Sequence, residues 1–314
     1  MISWTVFLSV LIIMLCAFYL WEIGRSYKRR LKIDLQGIEG FQSGSGSGSS
    51  VSEGLDQRLD DRCYDAFYAK VYDPLVQPTA RAGMEVRLPL EWLQEKGREK
   101  KDLRVVDLGS GTGLHAELFA RDGVASVVGV DKSVEMVEEA RRKYPEREFV
   151  VGDITKRELF KDESVDLATM FYFTIYMIPD RTAFLRNIYH WLAPGGLFTC
   201  HIVNKLKFDP ILEAASPFAG FSVQKYVERR VTKSEVAFEE FDYVGDFQLN
   251  GSRGIYEEEF RFKDGRVRRH EQRVWMPNID VLVKEIVDAG FTLQHHADLT
   301  AIGYEYQYQF FFTK

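Results

Sequence analysis

Residues 102–203 alternate between short apolar runs and longer stretches with helical spacing of apolar positions. The apolar runs occupy residues 105–108, 126–131, 148–154, 164–172 and 197–203. Short apolar runs bounded by turn residues predict buried strands, and strands that alternate with helices predict a parallel sheet. The helices are predicted from residue 116 onward, from the cap residue Ser133 to about Lys143, and over 180–191. We therefore predict an α/β fold.

The pattern changes after residue 203 to longer polar–apolar alternation. Residues 235–249, 254–263 and 266–275 read as strands, joined by the hairpin dipeptides Asn250-Gly251 and Asp264-Gly265. They predict a three-stranded antiparallel β meander inserted over residues 233–276. A helix over 278–289 and two strands over 291–293 and 304–312 complete the prediction, and residues 55–95 have a mostly helical pattern.

The first residues of the chain are apolar. Residues 2–21 carry no charge and are numerous enough to cross a bilayer as a helix. Trp4, Tyr19 and Trp21 lie near the ends of this run, as interfacial aromatic residues do. A cleaved signal peptide is the alternative, but no Lys or Arg precedes the run and bulky residues fill its end. We predict a transmembrane anchor over 1–24, a basic juxtamembrane segment and Gly/Ser linker over 25–54, and one domain over 55–314.

Charge and cysteine content narrow the function classes. Residues 1–36 carry five Lys/Arg against two Asp/Glu, so the net charge of −6 leaves the remainder at −9. The basic residues follow the apolar run, which places the domain on the cytosolic side of a membrane. An acidic domain argues against a nucleic-acid partner. The three cysteines are far apart and the histidines show no ligand spacing, so no disulfide and no metal site are predicted.

One stretch carries the candidate chemistry. The strand at 105–108 runs into Asp-Leu-Gly-Ser-Gly-Thr-Gly (residues 107–113) and then into a helix. Glycines let a backbone approach a ligand at a helix N-terminus. The dinucleotide pattern G-x-G-x-x-G fails because its sixth position is Leu114. The stretch instead resembles motif I of the class I S-adenosylmethionine-dependent methyltransferases. Acids at the ends of the next two strands, Asp131 and Asp153, and the turn Leu-Ala-Pro-Gly-Gly at 192–196 extend this resemblance over residues 102–203.

The resemblance implies a Rossmann-like seven-stranded sheet, mostly parallel with an antiparallel last hairpin, and S-adenosylmethionine as cofactor. The glycine turn would pack against the methionyl part, Asp131 would accept from the ribose hydroxyls, and Asp153 from the adenine amino group. For Met136 and the tyrosines of residues 68–72, plain core packing is the alternative. The implied cofactor-binding residues are Tyr72, Asp107, Gly109, Ser110, Gly111, Gly113, Asp131, Lys132, Met136, Asp153, Ile154 and Phe171.

The acceptor side of such a site lies at the ends of the fourth and fifth strands. Tyr172, Tyr176 and His201 are the candidates there, with aromatic lining and a core histidine as alternatives. Many relatives have a histidine near position 176 and this chain does not, which weakens the case for a general base. The acids and arginines of the meander are expected to form solvated cross-strand pairs, with a protein-binding surface as the alternative. They are Glu257, Glu258, Glu259, Arg261, Arg268, Arg269 and Arg273.

These features lead to the hypothesis of a membrane-anchored methyltransferase that acts on a small molecule or lipid headgroup. The alternatives are a protein methyltransferase acting on a membrane-associated partner and a non-catalytic cofactor-binding scaffold. The sequence leaves the acceptor atom and the oligomeric state open.

Overall fold

The computed structural model describes residues 55–76, 79–215 and 227–314, together with Met14, Ser222 and Gln224. The predicted anchor over 1–24 (Met14 apart) and the linker over 25–54 lie outside the described residues. Within the described part, no helix has both the length and the apolar character needed to cross a bilayer.

The described elements follow one another in this order. The strands are β1 (Leu55–Leu59), β2 (Arg104–Leu108), β3 (Ser126–Asp131), β4 (Glu148–Val151), β5 (Val165–Met170), β6 (Leu192–Val203), β7 (Lys233–Ala237), β8 (Phe241–Asn250), β9 (Arg253–Phe262), β10 (Val267–Trp275), β11 (Thr292–Asp298) and β12 (Gln307–Thr313). The α-helices of the described residues between 55 and 314 are α1 (Ala66–Val76), α2 (Thr79–Glu95), α3 (Leu114–Arg121), α4 (Val134–Lys143), α5 (Thr182–Trp191) and α6 (Ile279–Asp288).

Seven strands form a central sheet in the order β11-β12-β6-β5-β2-β3-β4. Neighbouring strands from β6 to β4 pair in parallel, while β12 lies antiparallel between β6 and β11. All six residues of β5 are buried, as expected for a strand covered on both faces. The predicted Rossmann-like, mostly parallel seven-stranded sheet is confirmed. From β2 the strand order runs outward to β3 and β4 on one side and to β5 and β6 on the other. Sheets of this kind bind ligands at the carboxyl ends of the strands where the order reverses, here between β2 and β5.

A second sheet of order β1-β10-β9-β8-β7 differs from the predicted meander in two ways. The run predicted as one strand over 235–249 is two strands, β7 and β8. They are separated by a tight turn in which the Phe238 N–H donates to the Phe241 carbonyl over 2.9 Å. The insertion is therefore a four-stranded antiparallel meander.

The other difference is β1, which lies in a segment predicted to be mostly helical. It pairs in parallel with β10, Leu55 opposite Val267. Because the partner lies so far along the chain, long-range pairing overrides the local pattern.

Helix α1 lies between the second sheet and the central domain. Phe67 of α1 contacts Phe260 of β9 edge to face, with ring centroids 5.0 Å apart, and the same apolar cluster includes Met136 of α4. This packing holds the second sheet over the carboxyl ends of the central strands.

Candidate functional site

The glycine turn follows β2. Gly109, Gly111 and Gly113 have φ values of +76°, +54° and +88°, a region that only glycine adopts freely. A Cβ on Gly113 would stand 2.5 Å from the ring of Phe149, whereas one on Gly111 would meet only Tyr72, at 3.9 Å. Gly111 therefore faces open space. Gly113 was predicted to bind the cofactor, but it lets α3 pack on the sheet and lines none of the cavities described here.

The backbone amides of the turn are already used within the protein. The N–H groups of Gly109 and Ser110 donate to the Val130 carbonyl over 2.8 and 2.9 Å. The Gly111 N–H donates to Asp131 Oδ2 over 2.8 Å. A phosphate-binding turn needs such amides free, so the arrangement suits a cationic ligand better than an anionic one.

A cleft of about 700 Å³, the main cleft, runs along the carboxyl ends of β2, β3 and β4 under β10. Asp131 accepts a second hydrogen bond from the Ser133 N–H over 2.9 Å, and burial raises the pKa of its carboxyl. Asp153 accepts from Thr155, and the exposed Lys132 pairs with Asp61. The cleft is lined by eight of the predicted cofactor residues: Tyr72, Gly109, Gly111, Asp131, Lys132, Met136, Asp153 and Ile154.

A second, smaller space of about 50 Å³ lies beneath the turn and is called the glycine-turn cavity here. Asp107, Ser110 and Phe171, also predicted as cofactor residues, line it. Asp107 Oδ1 accepts from Thr169 Oγ1 over 2.9 Å, and burial raises the pKa of this carboxyl. Among the described residues, Asp107 Oδ2 and Ser110 Oγ are buried without a hydrogen-bond partner. A ligand that bears an ammonium group supplies the donor these atoms lack.

Arg81 of α2 enters the same cavity and was missed by the sequence analysis. Its guanidinium lies 4.4 Å from the centre of the Tyr172 ring, and its Nε is 3.5 Å from Glu85 Oε1. Burial of Glu85 opposes ionisation, but Arg81 and His115 outweigh it and hold the pKa of this carboxyl at about 2. With Asp107, Arg81 gives the cavity the two opposite charges that match the ammonium and carboxylate of an α-amino acid. No local signal marks Arg81, because α2 precedes the motif stretch.

Tyr72 and Tyr172 line the main cleft, the glycine-turn cavity and a third space of about 80 Å³, the inner pocket, which lies under β9 and β10. Tyr172 has a φ of +53°, a backbone conformation that costs a non-glycine residue energy and recurs at functional sites. Asp73 accepts from Thr112 Oγ1, which ties α1 and its Tyr72 to the glycine turn. The two tyrosines thus stand where the three spaces meet.

Tyr176 and His201 do not share this position, contrary to the predicted acceptor role. Tyr176 is fully buried and its hydroxyl accepts from the Val203 N–H over 2.9 Å. His201 is fully buried in β6, and burial lowers the pKa of its ring to about 4. Neither residue lines the main cleft, the glycine-turn cavity or the inner pocket. Both are core residues, because their side chains are packed in the protein interior and do not reach the site.

The charged residues of the meander follow the prediction only in part, because Arg268 and Glu258 are buried and Arg273 pairs with Asp60, outside the meander. Near the surface, Glu259 pairs with Arg269 of β10 across the strands, as expected, and also with Arg261 of its own strand. Glu258, in contrast, is only 2% exposed and lines the inner pocket. The strand period of two places Glu258 on the covered face of β9, and local sequence did not show which face is covered. No group of three or more potential metal ligands occurs in the part of the chain that the structure describes.

Comparisons with known proteins agree with this geometry. A family profile described as a methyltransferase domain matches residues 106–200. A Mycolicibacterium smegmatis protein named "probable S-adenosylmethionine-dependent methyltransferase" is 26% identical over 200 residues, covering 63% of this chain and 70% of that one. A dTDP-4-amino-2,3,4,6-tetradeoxy-D-glucose N,N-dimethyltransferase from Saccharopolyspora spinosa is 35% identical over 118 residues, covering 34% of this chain and 46% of that one.

A solved structure extends the agreement to the fold. An S-adenosylmethionine-dependent methyltransferase from Clostridium acetobutylicum superposes with a TM-score of 0.60 and 17% identity, covering 80% of this chain and 98% of that one. The motif stretch, the cleft at the carboxyl ends of the strands, the matched profile and the shared fold agree. The chain is an S-adenosylmethionine-dependent methyltransferase with the class I, Rossmann-like fold.

Proposed function

We propose that this methyltransferase transfers the methyl group to a small molecule or lipid headgroup that reaches the junction at Tyr72 and Tyr172. The observation that carries the proposal is that these two residues line all three spaces. One space can hold the adenosine part of the cofactor, one its amino-acid end, and the third an acceptor. Methyl transfer mainly requires that nucleophile and methyl group be aligned and kept from water, and aromatic rings make up much of the lining of the inner pocket at this junction.

The cofactor would be held by residues of the first two spaces. Asp131, Asp153 and Met136 line the main cleft and are suited to the ribose and adenine. Asp107 and Arg81 line the glycine-turn cavity and carry the charges for the amino-acid end. When bound, the cofactor supplies an activated methyl group on a sulfonium. No histidine is among the described residues that line the inner pocket. The chain's own contribution is binding and orientation.

The test is methyl transfer from labelled S-adenosylmethionine by the full chain, measured beside cofactor binding by calorimetry. We expect micromolar binding of the cofactor and transfer to a low-molecular-mass fraction of cell extract. Asp131→Asn should abolish binding, whereas Asp122→Asn, an exposed acid after α3, should not. A full chain that binds no cofactor would contradict the proposal. Label appearing only in protein bands would favour a protein acceptor.

Residues 1–24 are proposed as a single-pass anchor with the methyltransferase domain on the cytosolic side. The support is the uncharged run over 2–21 and the basic residues that follow it. The full chain should float with membranes and resist alkaline carbonate extraction, and deletion of residues 2–24 should release it. A full chain that carbonate extracts completely would contradict the anchor and leave the methyltransferase activity unaffected.

A further inference from the structure

The inner pocket is small and mostly apolar. Its volume of about 80 Å³ compares with roughly 10–15 Å³ for a site that holds one water, so it takes roughly five to eight non-hydrogen atoms. Of the described residues that line it, Glu258 alone has a side chain with a formal charge at neutral pH. The lining consists of Tyr64, Tyr68, Tyr72, Leu75, Val76, Tyr172, Phe173, Met177, Phe208, Pro210, Leu212, Phe247, Tyr256, Glu258, Gln272 and Val274.

The Glu258 carboxylate is held by hydrogen-bond donors. Oε1 accepts from the hydroxyls of Tyr68 and Tyr243, each over 2.9 Å. Oε2 accepts from Gln272 Nε2 over 2.9 Å and from His270 Nδ1 over 3.3 Å. Four donors that converge on one carboxyl group fit its ionised form, which accepts hydrogen bonds only.

Among the described residues, no cation neutralises this charge directly. His270 Nε2 accepts from Arg268 Nε over 2.7 Å, so the ring carries its proton on Nδ1 and is neutral. Arg268 itself pairs with Asp65 over 2.6 Å. Within the described residues, no Lys or Arg lies at ion-pair distance from Glu258. A buried carboxylate without a cation is costly, and a cationic ligand would offset that cost.

The network also decides what the phenol groups present to the pocket. The Tyr68 hydroxyl donates a hydrogen bond to Glu258, and the Tyr64 hydroxyl donates one to Gln272 Oε1 over 2.7 Å. Tyr243 donates to Glu258, so the 2.9 Å contact between the Tyr243 and Tyr256 hydroxyls uses the proton of Tyr256. The hydroxyl protons of three lining residues, Tyr64, Tyr68 and Tyr256, therefore point into the network. At these three residues a ligand meets oxygen lone pairs and ring faces, which attract N–H donors and cations.

From these contacts we infer that the inner pocket binds an amine, in its ammonium form, as the methyl acceptor, and that Glu258 sets this specificity through the tyrosines. The inference rests on the proposed methyl transfer and names its acceptor class. The ammonium first loses a proton to solvent. The nitrogen lone pair then forms the N–C bond while the C–S bond of the donor breaks, with its electron pair on sulfur, and the resulting ammonium product again sheds a proton. An anionic acceptor finds no cation among the described residues that line the pocket.

The test compares two molecules of equal size on the full chain saturated with S-adenosylhomocysteine, the demethylated cofactor. Tert-butylammonium and tert-butanol each have five non-hydrogen atoms, and calorimetric competition or ligand-observed NMR gives their affinities. We expect the ammonium to bind at least tenfold more tightly. Equal binding, tighter binding of the alcohol, or no binding of either molecule would overturn the inference.

Variants connect the preference to Glu258. Glu258→Gln should remove it, and Glu257→Gln, the same change on the exposed face of β9, should leave it intact. Tyr68→Phe keeps the ring but removes the lone pairs, and should weaken ammonium binding severalfold. A preference unchanged in Glu258→Gln with normal cofactor affinity would overturn the role of Glu258.

The outcome is separable from that of the proposed function. Failure of the full chain to bind S-adenosylhomocysteine would count against methyl transfer itself, and the two probes can still be compared without it. Methyl transfer to alcohols or carboxylic acids, with amines left unmodified, would leave the proposed function standing and overturn the amine acceptor.

Discussion

Single side chains decide what the site can bind, and Arg81 is the clearest case. Arg81→Gln should weaken S-adenosylhomocysteine binding by about 10–100-fold, because a buried charge-assisted contact contributes roughly 1.5–3 kcal/mol. Binding of 5′-methylthioadenosine, which lacks the amino-acid end, should change less than threefold. Arg87→Gln on the exposed face of α2 is the control. Equal losses for both ligands in calorimetry would show that Arg81 acts only on the structure of the cavity.

His201 gives a prediction on stability against pH. Its pKa is about 4 in the folded chain, below the ordinary value of 6.5. As the pH falls below 6.5, His201 becomes protonated in the unfolded chain but stays neutral in the folded chain. The free energy of unfolding therefore decreases down to about pH 4 and is constant below that pH as far as His201 is concerned. The loss is about 3 kcal/mol. Chemical denaturation at pH 7 and pH 4.5 should show it.

The matching variants are His201→Leu and His190→Leu. The first should flatten the pH dependence between 6.5 and 4, whereas the second, at an exposed position, should not. An unchanged slope in His201→Leu would mean that another group titrates there. Glu85 becomes protonated in the folded chain only at a lower pH, because its pKa of about 2 lies below the usual 4.5.

At the scale of elements, two glycines of the glycine turn have different roles: Gly113 allows close packing, and Gly111 faces the space where the cofactor would bind. Gly113→Ala should cost about 2–4 kcal/mol of unfolding free energy, since the new Cβ would stand 2.5 Å from the Phe149 ring and φ is +88°. Gly111→Ala should cost about 1–2 kcal/mol, because it has the φ strain without the clash. Thermal unfolding and cofactor titration of both variants check this. Gly111→Ala should lose the larger share of cofactor affinity, and the reverse order would contradict the assignment.

Elements with a clear local pattern could be predicted, even where the partner strand is distant, and β1, which lies in a segment of mostly helical pattern, could not. The strands of the central sheet follow from apolar runs, and α4 begins after Ser133, whose Oγ accepts from the Met136 N–H as a capping residue should. Strand β1 forms through its pairing with β10, which lies more than 200 residues away.

The same distinction holds for the site. The cofactor-binding residues were predicted from one contiguous motif and from the acids at the ends of the next two strands. The acceptor side depends on which face of β9 is covered, and the sequence could not say that Glu258 points inward while Glu257 is exposed. Tyr176 and His201 were chosen by position along their strands, but packing of the core used both side chains.

At the scale of the whole molecule, cofactor binding and folding are coupled. A ligand at 100 times its Kd stabilises the folded state by about 2.7 kcal/mol. For a domain of this size the Tm should therefore rise by about 5–10 °C with S-adenosylmethionine. Differential scanning fluorimetry of the full chain measures it, with Asp131→Asn as the control that should not respond. A rise of equal size in that variant would place the cofactor elsewhere.

The pairing of β1 with β10 has a consequence for synthesis on the ribosome. At about 5–20 residues per second, β1 waits roughly 10–40 s before the residues that flank it in the sheet have been made. During that time the glycine turn and the strands around it can already assemble, while the cover of the inner pocket cannot close. Nascent chains stalled before residue 267 should thus display a cofactor-binding surface that is open above, with an unpaired strand that chaperones can recognise.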